Sequence, residues 1–280
     1  MGVVTSQQIT KYYDRYRDTE ITFSKEVIKT LHLDPRQVYV KCADSQWPCI
    51  INSTSFLAVK IIVGTKGGAY ARLSQDNCDA KVRFCFAQAD AQPITFFVSG
   101  KVTEITPYMN AQDLAVITIT FSQRPPDDLI EIIGRVLEAN FNAVQRKEER
   151  IALTEETRRK LGISHEETLI TVQGVPRHCI LKDLSFSGAK VILLGLSQFL
   201  INREATLCID FDEPPETVKL NGTVLRCEPV QGRKDIVAVS LRFADKSIPM
   251  SYKLHINNFL TSKRKKELQV FNASSLSTGM

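Results

Sequence analysis

Residues 179–193 have the sequence CILKDLSFSGAKVIL, and residues 49–63 have the sequence CIINSTSFLAVKIIV. Six of the fifteen aligned positions are identical, among them Ser55 with Ser185. In both stretches β-branched and apolar residues alternate with polar ones, which is the pattern of a strand. Since similar strand patterns follow in the same order, the two stretches predict two copies of one strand-rich unit.

The segments around both copies complete the predicted fold. Residues 37–122 hold several short strand patterns separated by turn signals, and residues 125–144 have apolar residues at helical spacing after two prolines. The second half repeats this plan and ends in a helical pattern at 248–263. Many strands followed by one helix predict a mainly β fold: two small β-barrels in tandem, each followed by an α-helix.

Composition limits the class of protein. The chain has 280 residues, of which 43% are hydrophobic and 24% charged, so we expect two globular domains. Its apolar runs are far shorter than the roughly 20 residues of a membrane-spanning helix, and the N-terminus lacks the apolar core of a signal peptide. We therefore expect no membrane span and a cytoplasmic location.

The cysteines and histidines give no sign of metal or catalytic chemistry. Seven cysteines are spread through strand-like segments without a C-x-x-C pair, and four histidines are scattered. Tetrahedral metal sites need converging ligands, so the pattern favours buried, reduced thiols over a metal site. No nucleophile lies beside a general base in a known motif. We expect no enzyme activity, no metal and no cofactor.

The segment VQRKEERI at residues 144–151, called here the arginine segment, carries Arg146 and Arg150. Arginines four apart on a helical stretch point the same way, and their planar guanidinium groups can hold phosphate oxygens or the edge of guanine. This favours an anionic nucleotide as partner. The alternative is a solvated helix end whose own glutamates pair with the arginines.

The turn DLSFSG places Asp183, Ser185 and Gly188 in a D-x-S-x-x-G pattern. The carboxylate can accept hydrogen bonds from guanine, the hydroxyl can serve a base or a phosphate, and glycine allows close approach or positive φ. A plain strand-joining turn is the alternative. In the first copy Ser53 and Ala58 replace the acid and the glycine, so we expect that copy to be degenerate and not to bind ligand on its own.

The two motifs in this order resemble the PilZ domain, whose signature is R-x-x-x-R followed by D/N-x-S-x-x-G, over about residues 144–262. A barrel without the motif before the true one further resembles the PlzA-type receptors of spirochaetes. The resemblance implies a receptor for cyclic di-GMP that does no chemistry on it. It also implies which residues contact the ligand: Arg146 and Arg150 would clamp phosphates and guanine, Asp183, Ser185 and Gly188 would line the other side, and Gln145 would influence whether one or two molecules bind.

The resemblance implies three segments: a degenerate PilZ-like domain at 1–143, a PilZ domain at 144–262, and a basic, disordered tail at 263–280. We expect the ligand to change the interdomain arrangement and so to regulate motility or a related process through an unidentified protein partner. We also expect the arginine segment to be a hinge that is mobile without ligand, because its arginines repel each other and Glu148 and Glu149 are solvated.

Two other functions stay open. A net charge of +5, a pI of about 8.8 and the basic run at residues 263–266 suggest nucleic-acid binding. For that run, a solvated helix end that leads into disorder is the alternative. A protein-interaction scaffold is the other function, since the first copy lacks the acid and the glycine of the turn.

Overall fold

The computed structural model describes residues 5–75, 78–88, 91–109 and 111–277. Contacts along the chain divide it into two compact units, Met1–Glu138 (unit 1) and Ala139–Met280 (unit 2). The predicted division after residue 143 lies slightly further along the chain and stays a prediction.

Unit 1 begins with helices and continues as an antiparallel sheet. Its helices are α1 (Ser6–Tyr16), α2 (Lys25–Leu31), α3 (Gly68–Leu73) and α4 (Asp127–Gln145), the last of which extends into unit 2. Its strands are β1 (Ile21–Thr22), β2 (Tyr39–Cys42), β3 (Ser45–Pro48), β4 (Ile50–Thr54), β5 (Ala58–Gly64), β6 (Asp79–Gln88), β7 (Ala91–Tyr108) and β8 (Ala111–Phe121).

The sheet of unit 1 curls around an apolar core. Its strand order is β1-β4-β5-β8-β7-β6-β2-β3, so β3 and β4 lie near opposite ends of the hydrogen-bonded order. Only Cys49 separates these two strands in the chain, and this connection brings the two ends of the sheet together. Alternate residues point inward and are fully buried, including Val40, Ile61, Phe84 and Ile117.

Helix α4 lies close to α1 in unit 1. A Cβ atom at Gly134 would come within 2.6 Å of the Tyr12 ring, so the glycine allows the helix backbone to approach the ring. Leu129, Ile133 and Val136 of α4 are buried, as helical spacing in the sequence predicts, whereas Phe141 is exposed.

Unit 2 repeats the strand-rich plan. Its helices are α5 (Glu155–Leu161), α6 (Ser197–Leu200) and α7 (Met250–Ser277). Its strands are β9 (Ile151–Ala152), β10 (Glu167–Val172), β11 (Val175–Leu184), β12 (Gly188–Leu194), β13 (Glu204–Asp212), β14 (Pro215–Val230) and β15 (Arg233–Phe243).

The barrel of unit 2 is closed because β10 pairs with both β13 and β11. Six strands form the ring β10-β13-β14-β15-β12-β11, and the short β9 adds to β11. The interior is filled by alternate residues such as Val191, Leu207 and Val239, all fully buried, and Tyr252, Ile256 and Leu260 of α7 join the same core. The predicted mainly β fold of tandem barrels, each followed by a helix, is confirmed.

The predicted repetition is present at an offset of 130 residues in the first elements of each copy, and at an offset of 122 residues for β8 and β15. Strands β1 and β9, helices α2 and α5, and strands β5 and β12 each begin and end at positions that differ by 130. Both copies also carry a register shift at the same place, between Ile51 and Ser53 in one and between Leu181 and Asp183 in the other. The short helices α2 and α5, which the sequence patterns do not predict, are therefore part of the repeated plan.

The prediction of a disordered tail from residue 263 is wrong for residues 263–277. Helix α7 continues to Ser277. The segment has no proline or glycine before Gly279, and Lys263 and Glu267 form a pair one turn apart at 3.9 Å. Lysine, arginine, glutamate and leucine all favour a helix, so nothing in the sequence ends it at residue 262. Residues 278–280 lie outside the described residues.

Candidate functional site

The D-x-S-x-x-G turn connects β11 to β12 and is held by its own serine. The backbone N–H of Ser185 donates to the carbonyl of Gly188 at 2.8 Å, and the N–H of Gly188 donates back to Ser185 Oγ at 3.1 Å. Ser185 is fully buried. Its hydroxyl therefore stabilises the turn, and the contact of this side chain with a ligand stays a prediction.

Gly188 also has a structural reason. A Cβ atom there would lie 2.2 Å from the carbonyl oxygen of Leu241 on β15, and the residue does not have positive φ. The glycine thus allows β12 to approach β15 closely. A left-handed backbone is therefore not the reason for the glycine. Close approach of a ligand to Gly188 stays a prediction.

Tyr252 of α7 stabilises the turn by a hydrogen bond to its backbone. The hydroxyl of Tyr252 donates to the carbonyl of Ser185 at 2.8 Å, and the ring packs edge-on against Phe243 at 5.8 Å. Burial raises the pKa of Tyr252, so the group stays protonated and keeps this donor. Sequence reasoning missed Tyr252, because the two partners lie 67 residues apart and no motif links them.

The arginine segment lies beside this turn. Arg150 forms an ion pair with Asp183, whose side chain is 20% exposed against 41% for the arginine. The structure thus brings the two predicted motifs into direct contact. Gln145 is the last residue of α4 and is exposed, and Arg146 is half-buried. Within the described part of the chain, no carboxylate pairs with the guanidinium of Arg146.

Other residues of the arginine segment are tied to unit 2. Lys147 pairs with Asp245 at 2.6 Å, and Glu149 pairs with Arg264 of α7. Ser187 Oγ donates to the carbonyl of Lys147 at 2.9 Å and lies 3.0 Å from a carboxylate oxygen of Glu148. Both glutamates therefore have protein partners, and Glu148 is exposed to solvent as expected.

A polar row continues from the turn across the outer face of the barrel. By register Asp183 lies opposite Lys190, Lys190 opposite Ser240, and Ser240 opposite Arg226. Lys190 is also 3.5 Å from a carboxylate oxygen of Glu228. The row therefore adds two cations, which sequence reasoning missed, to those of the arginine segment. Register across four strands is the signal that places them there.

Unit 1 retains the turn and changes the charges. The N–H of Ser55 donates to the carbonyl of Ala58 at 2.9 Å, as in the second copy. At the offset of 130, however, Glu20 occupies the position of Arg150, and Ser53 that of Asp183. Glu20 pairs with Lys60 at 2.8 Å. Burial opposes ionisation of Glu20, but the hydrogen bond and the positive charge of Lys60 outweigh it and lower its pKa. This position therefore carries an anion.

No three histidine, cysteine or acidic side chains converge on a metal position among the residues that the structure describes. An open groove of ≈ 710 Å³ on unit 2 is lined by His165, His178 and Asp210, with none of the predicted site residues. In the described ranges, no helix has the length and apolar character needed to cross a membrane.

The chain is similar to proteins of known family. Residues 7–140 match the PilZN3 domain, and residues 145–262 match the PilZ domain. A cyclic di-GMP binding protein of Treponema denticola is 44% identical over 267 residues, which cover 95% of this chain and 85% of the relative.

Two solved structures also match over most of their length. The PlzA protein of Borreliella burgdorferi in complex with c-di-GMP is 22% identical, with 91% of this chain and 98% of that chain covered and a TM-score of 0.41. YcgR of Escherichia coli in complex with c-di-GMP is 12% identical, with 97% and 100% covered and a TM-score of 0.31. On the strength of the two domain matches and the 44% identical relative, the chain belongs to the PilZ family, with a PilZN3 domain before its PilZ domain.

Proposed function

We propose that the chain is a receptor for cyclic di-GMP that binds the ligand on unit 2. The observation that carries the proposal is the contact between Arg150 and Asp183, which joins the two halves of the signature on one surface. It is supported by the relative of 44% identity, which is named for binding this ligand.

The chemistry of the surface suits a cyclic dinucleotide with two phosphates and two guanines. Arg146 has a guanidinium that no described carboxylate neutralises. The guanidinium of Arg150 pairs with Asp183, and a phosphate can bind it beside that carboxylate or displace it. The carboxylate of Asp183 can accept from the N–H groups of guanine. Gln145 is exposed and directly precedes Arg146, and we propose that it contacts the same ligand.

Ser185 and Gly188 act indirectly in this proposal. Ser185 is buried and bonded inside the turn, and Gly188 allows the close strand approach that positions it. Their task is to hold Asp183 at its place on the surface. A member of this family is a receptor, and the reaction chemistry of an enzyme has no part in the proposal.

The ligand would also change the arrangement of the chain and so regulate motility or a related process through a protein partner. The arginine segment follows α4, the helix within which the two units divide, and it is tied to α7 through Glu149 and Arg264. A phosphate that engages Arg150 alters the charges around these ties. We place this receptor in the cytoplasm, where seven free cysteines are expected.

Calorimetric titration tests the binding proposal, with cyclic di-GMP beside cyclic di-AMP and GTP. Arg150→Ala should weaken binding of cyclic di-GMP by about 10- to 150-fold, the equivalent of roughly 1.5–3 kcal/mol for a charged hydrogen bond. Arg150→Lys should not restore it, because the planar guanidinium is lost. Arg159→Ala is the matched control, since Arg159 is 82% exposed and pairs only with its helix neighbour Glu155 among the described residues. Equal affinity of the wild type and Arg150→Ala would contradict the assignment.

Amide exchange across residues 140–152 and small-angle scattering test the rearrangement separately. Both should change when saturating cyclic di-GMP is added. If titration shows binding while exchange and scattering stay the same, the receptor is a rigid binder and only the proposed rearrangement is wrong.

A further inference from the structure

Two cysteine sulfurs in unit 1 lie unusually close together. Sγ of Cys42 is 2.7 Å from Sγ of Cys78, and the two residues are 6% and 8% exposed. A disulfide bond is about 2.05 Å long, so the sulfurs need to approach by less than about 1 Å to become bonded.

The backbone holds both residues in place. Cys42 ends β2 and pairs with Ser45 in the β2–β3 hairpin, and β2 pairs with β6 through Lys41 and Lys81. Cys78 directly precedes β6, and its carbonyl accepts from the N–H of Val102 at 3.1 Å. Strand pairing on both sides therefore fixes the approach of the sulfurs, so that no large movement is needed to join them.

The other cysteines do not share this arrangement. All seven lie within the described residues, and among them only Cys42 and Cys78 share a sulfur–sulfur hydrogen bond. Cys49 and Cys179 are buried, and burial raises the pKa of each thiol to about 12. They are inert thiols of the core.

We propose that Cys42 and Cys78 are a modification site of unit 1, where a peroxide converts the two thiols into a reversible disulfide. One sulfur attacks the peroxide, the O–O bond breaks, and a sulfenic acid and one water form. The second thiol then attacks that sulfur, the S–S bond forms, and a second water leaves. The two sulfurs together lose two electrons, which reduce one peroxide to two waters, and a dithiol reductant reverses the change.

Burial makes this reaction slow at neutral pH. Burial, together with the neighbouring Cys42, raises the pKa of Cys78 to about 11, while Arg72 acts in the opposite direction and Asp79 in the same one. Since the thiolate is the nucleophile, the rate of oxidation should rise on the order of tenfold per pH unit below that pKa.

Peptide mass mapping of the full chain tests the site. The reduced protein is treated with hydrogen peroxide at pH 7 and at pH 9, blocked with N-ethylmaleimide and digested with trypsin without reductant. Cleavage after Lys41, Lys60, Arg72 and Lys81 places the two cysteines in peptides 42–60 and 73–81. We expect these peptides to be linked, lighter by two hydrogens than their sum, formed faster at pH 9, and separated again by dithiothreitol.

Cys49 shares peptide 42–60 with Cys42 and supplies the matched control. Cys49→Ser should keep the linked peptide, and Cys42→Ser and Cys78→Ser should each lose it. Absence of the link in folded, peroxide-treated wild type, or its persistence in Cys42→Ser, would overturn the proposal. Should a serine variant fail to fold, fragmentation of the linked wild-type peptide still decides whether residue 42 or residue 49 carries the bond.

Discussion

Replacing Gly188 by alanine should destabilise unit 2 and weaken ligand binding through the fold. The new Cβ would lie 2.2 Å from the carbonyl oxygen of Leu241, far inside the 3.4 Å at which ordinary contact begins. That oxygen belongs to the backbone of β15, so it cannot turn away as a side chain would. The strands β12 and β15 must separate by about 1 Å, a change typical of overpacked cores, which costs about 1–3 kcal/mol.

The same displacement moves the turn that carries Asp183. Gly188 begins β12 and bonds through its N–H to Ser185, so a shift there changes the place of the carboxylate relative to Arg150. We expect weaker binding of cyclic di-GMP together with lower stability.

The assay needs a signal from unit 2. The single tryptophan, Trp47, lies in unit 1, so its fluorescence reports on that unit, and urea unfolding of unit 2 is followed by amide exchange of β12 and β15. Gly222→Ala is the matched control, because its Cβ would meet the Arg242 carbonyl at 2.1 Å outside the motif. Both variants should lose stability to a similar extent. If Gly188→Ala keeps wild-type stability and loses binding, the glycine serves the ligand directly, as the sequence analysis expects.

Two further predictions concern the support of the turn and the charge of unit 1. Tyr252→Phe removes the donor to the buried carbonyl of Ser185 and should lower the unfolding free energy of unit 2 by about 1–3 kcal/mol in urea. In unit 1 the folded pKa of Glu20 is lowered, so the stabilisation by its pair with Lys60 is present above the unfolded pKa of about 4.3 and is lost as pH falls through the folded value. Glu20→Gln should flatten this acid dependence, by less than about 1 kcal/mol because the pair is exposed, in Trp47 fluorescence melts at pH 3–6.

Patterns that are local in sequence predicted the fold well. Strand alternation and the shared order of elements identify two barrels, and prolines followed by acidic residues at 127–128 mark the start of α4. Strand alternation and the start of α4 are both visible in the residues of the element itself or directly before it. The contact of Arg150 with Asp183 joins the two motifs that the sequence identifies. The pairing of β9 with β11 brings these side chains together, because Arg150 directly precedes β9 and Asp183 lies in β11.

Contacts between residues far apart in the chain could not be predicted from the sequence. Glu149 meets Arg264 across 115 residues, and Tyr252 meets Ser185 across 67. Neither pair has a periodic or spaced pattern, so only the fold brings its members together. The same cause explains Gly188, whose close neighbour Leu241 lies on another strand. Residues 263–277 differ from the expected disorder because their charges suggest solvation, while their helix-favouring side chains continue α7.

Comparison of the two copies distinguishes residues of the signature that stabilise the turn from residues that carry charge. Ser55 and Ser185 make the same backbone contacts in their turns, although only the second turn has an aspartate, so the serine belongs to the scaffold of the turn. The copies differ at the charged positions, where Glu20 and Ser53 replace Arg150 and Asp183, and at Gly188, which is Ala58 in unit 1. A phosphate beside this turn in unit 1 would lie near the carboxylate of Glu20, whereas in unit 2 it would lie near the guanidinium of Arg150. The two negative charges in unit 1 would repel each other. It follows that unit 1 keeps the backbone hydrogen bonds of the turn without its charges, and we expect an anionic ligand to prefer the turn of unit 2.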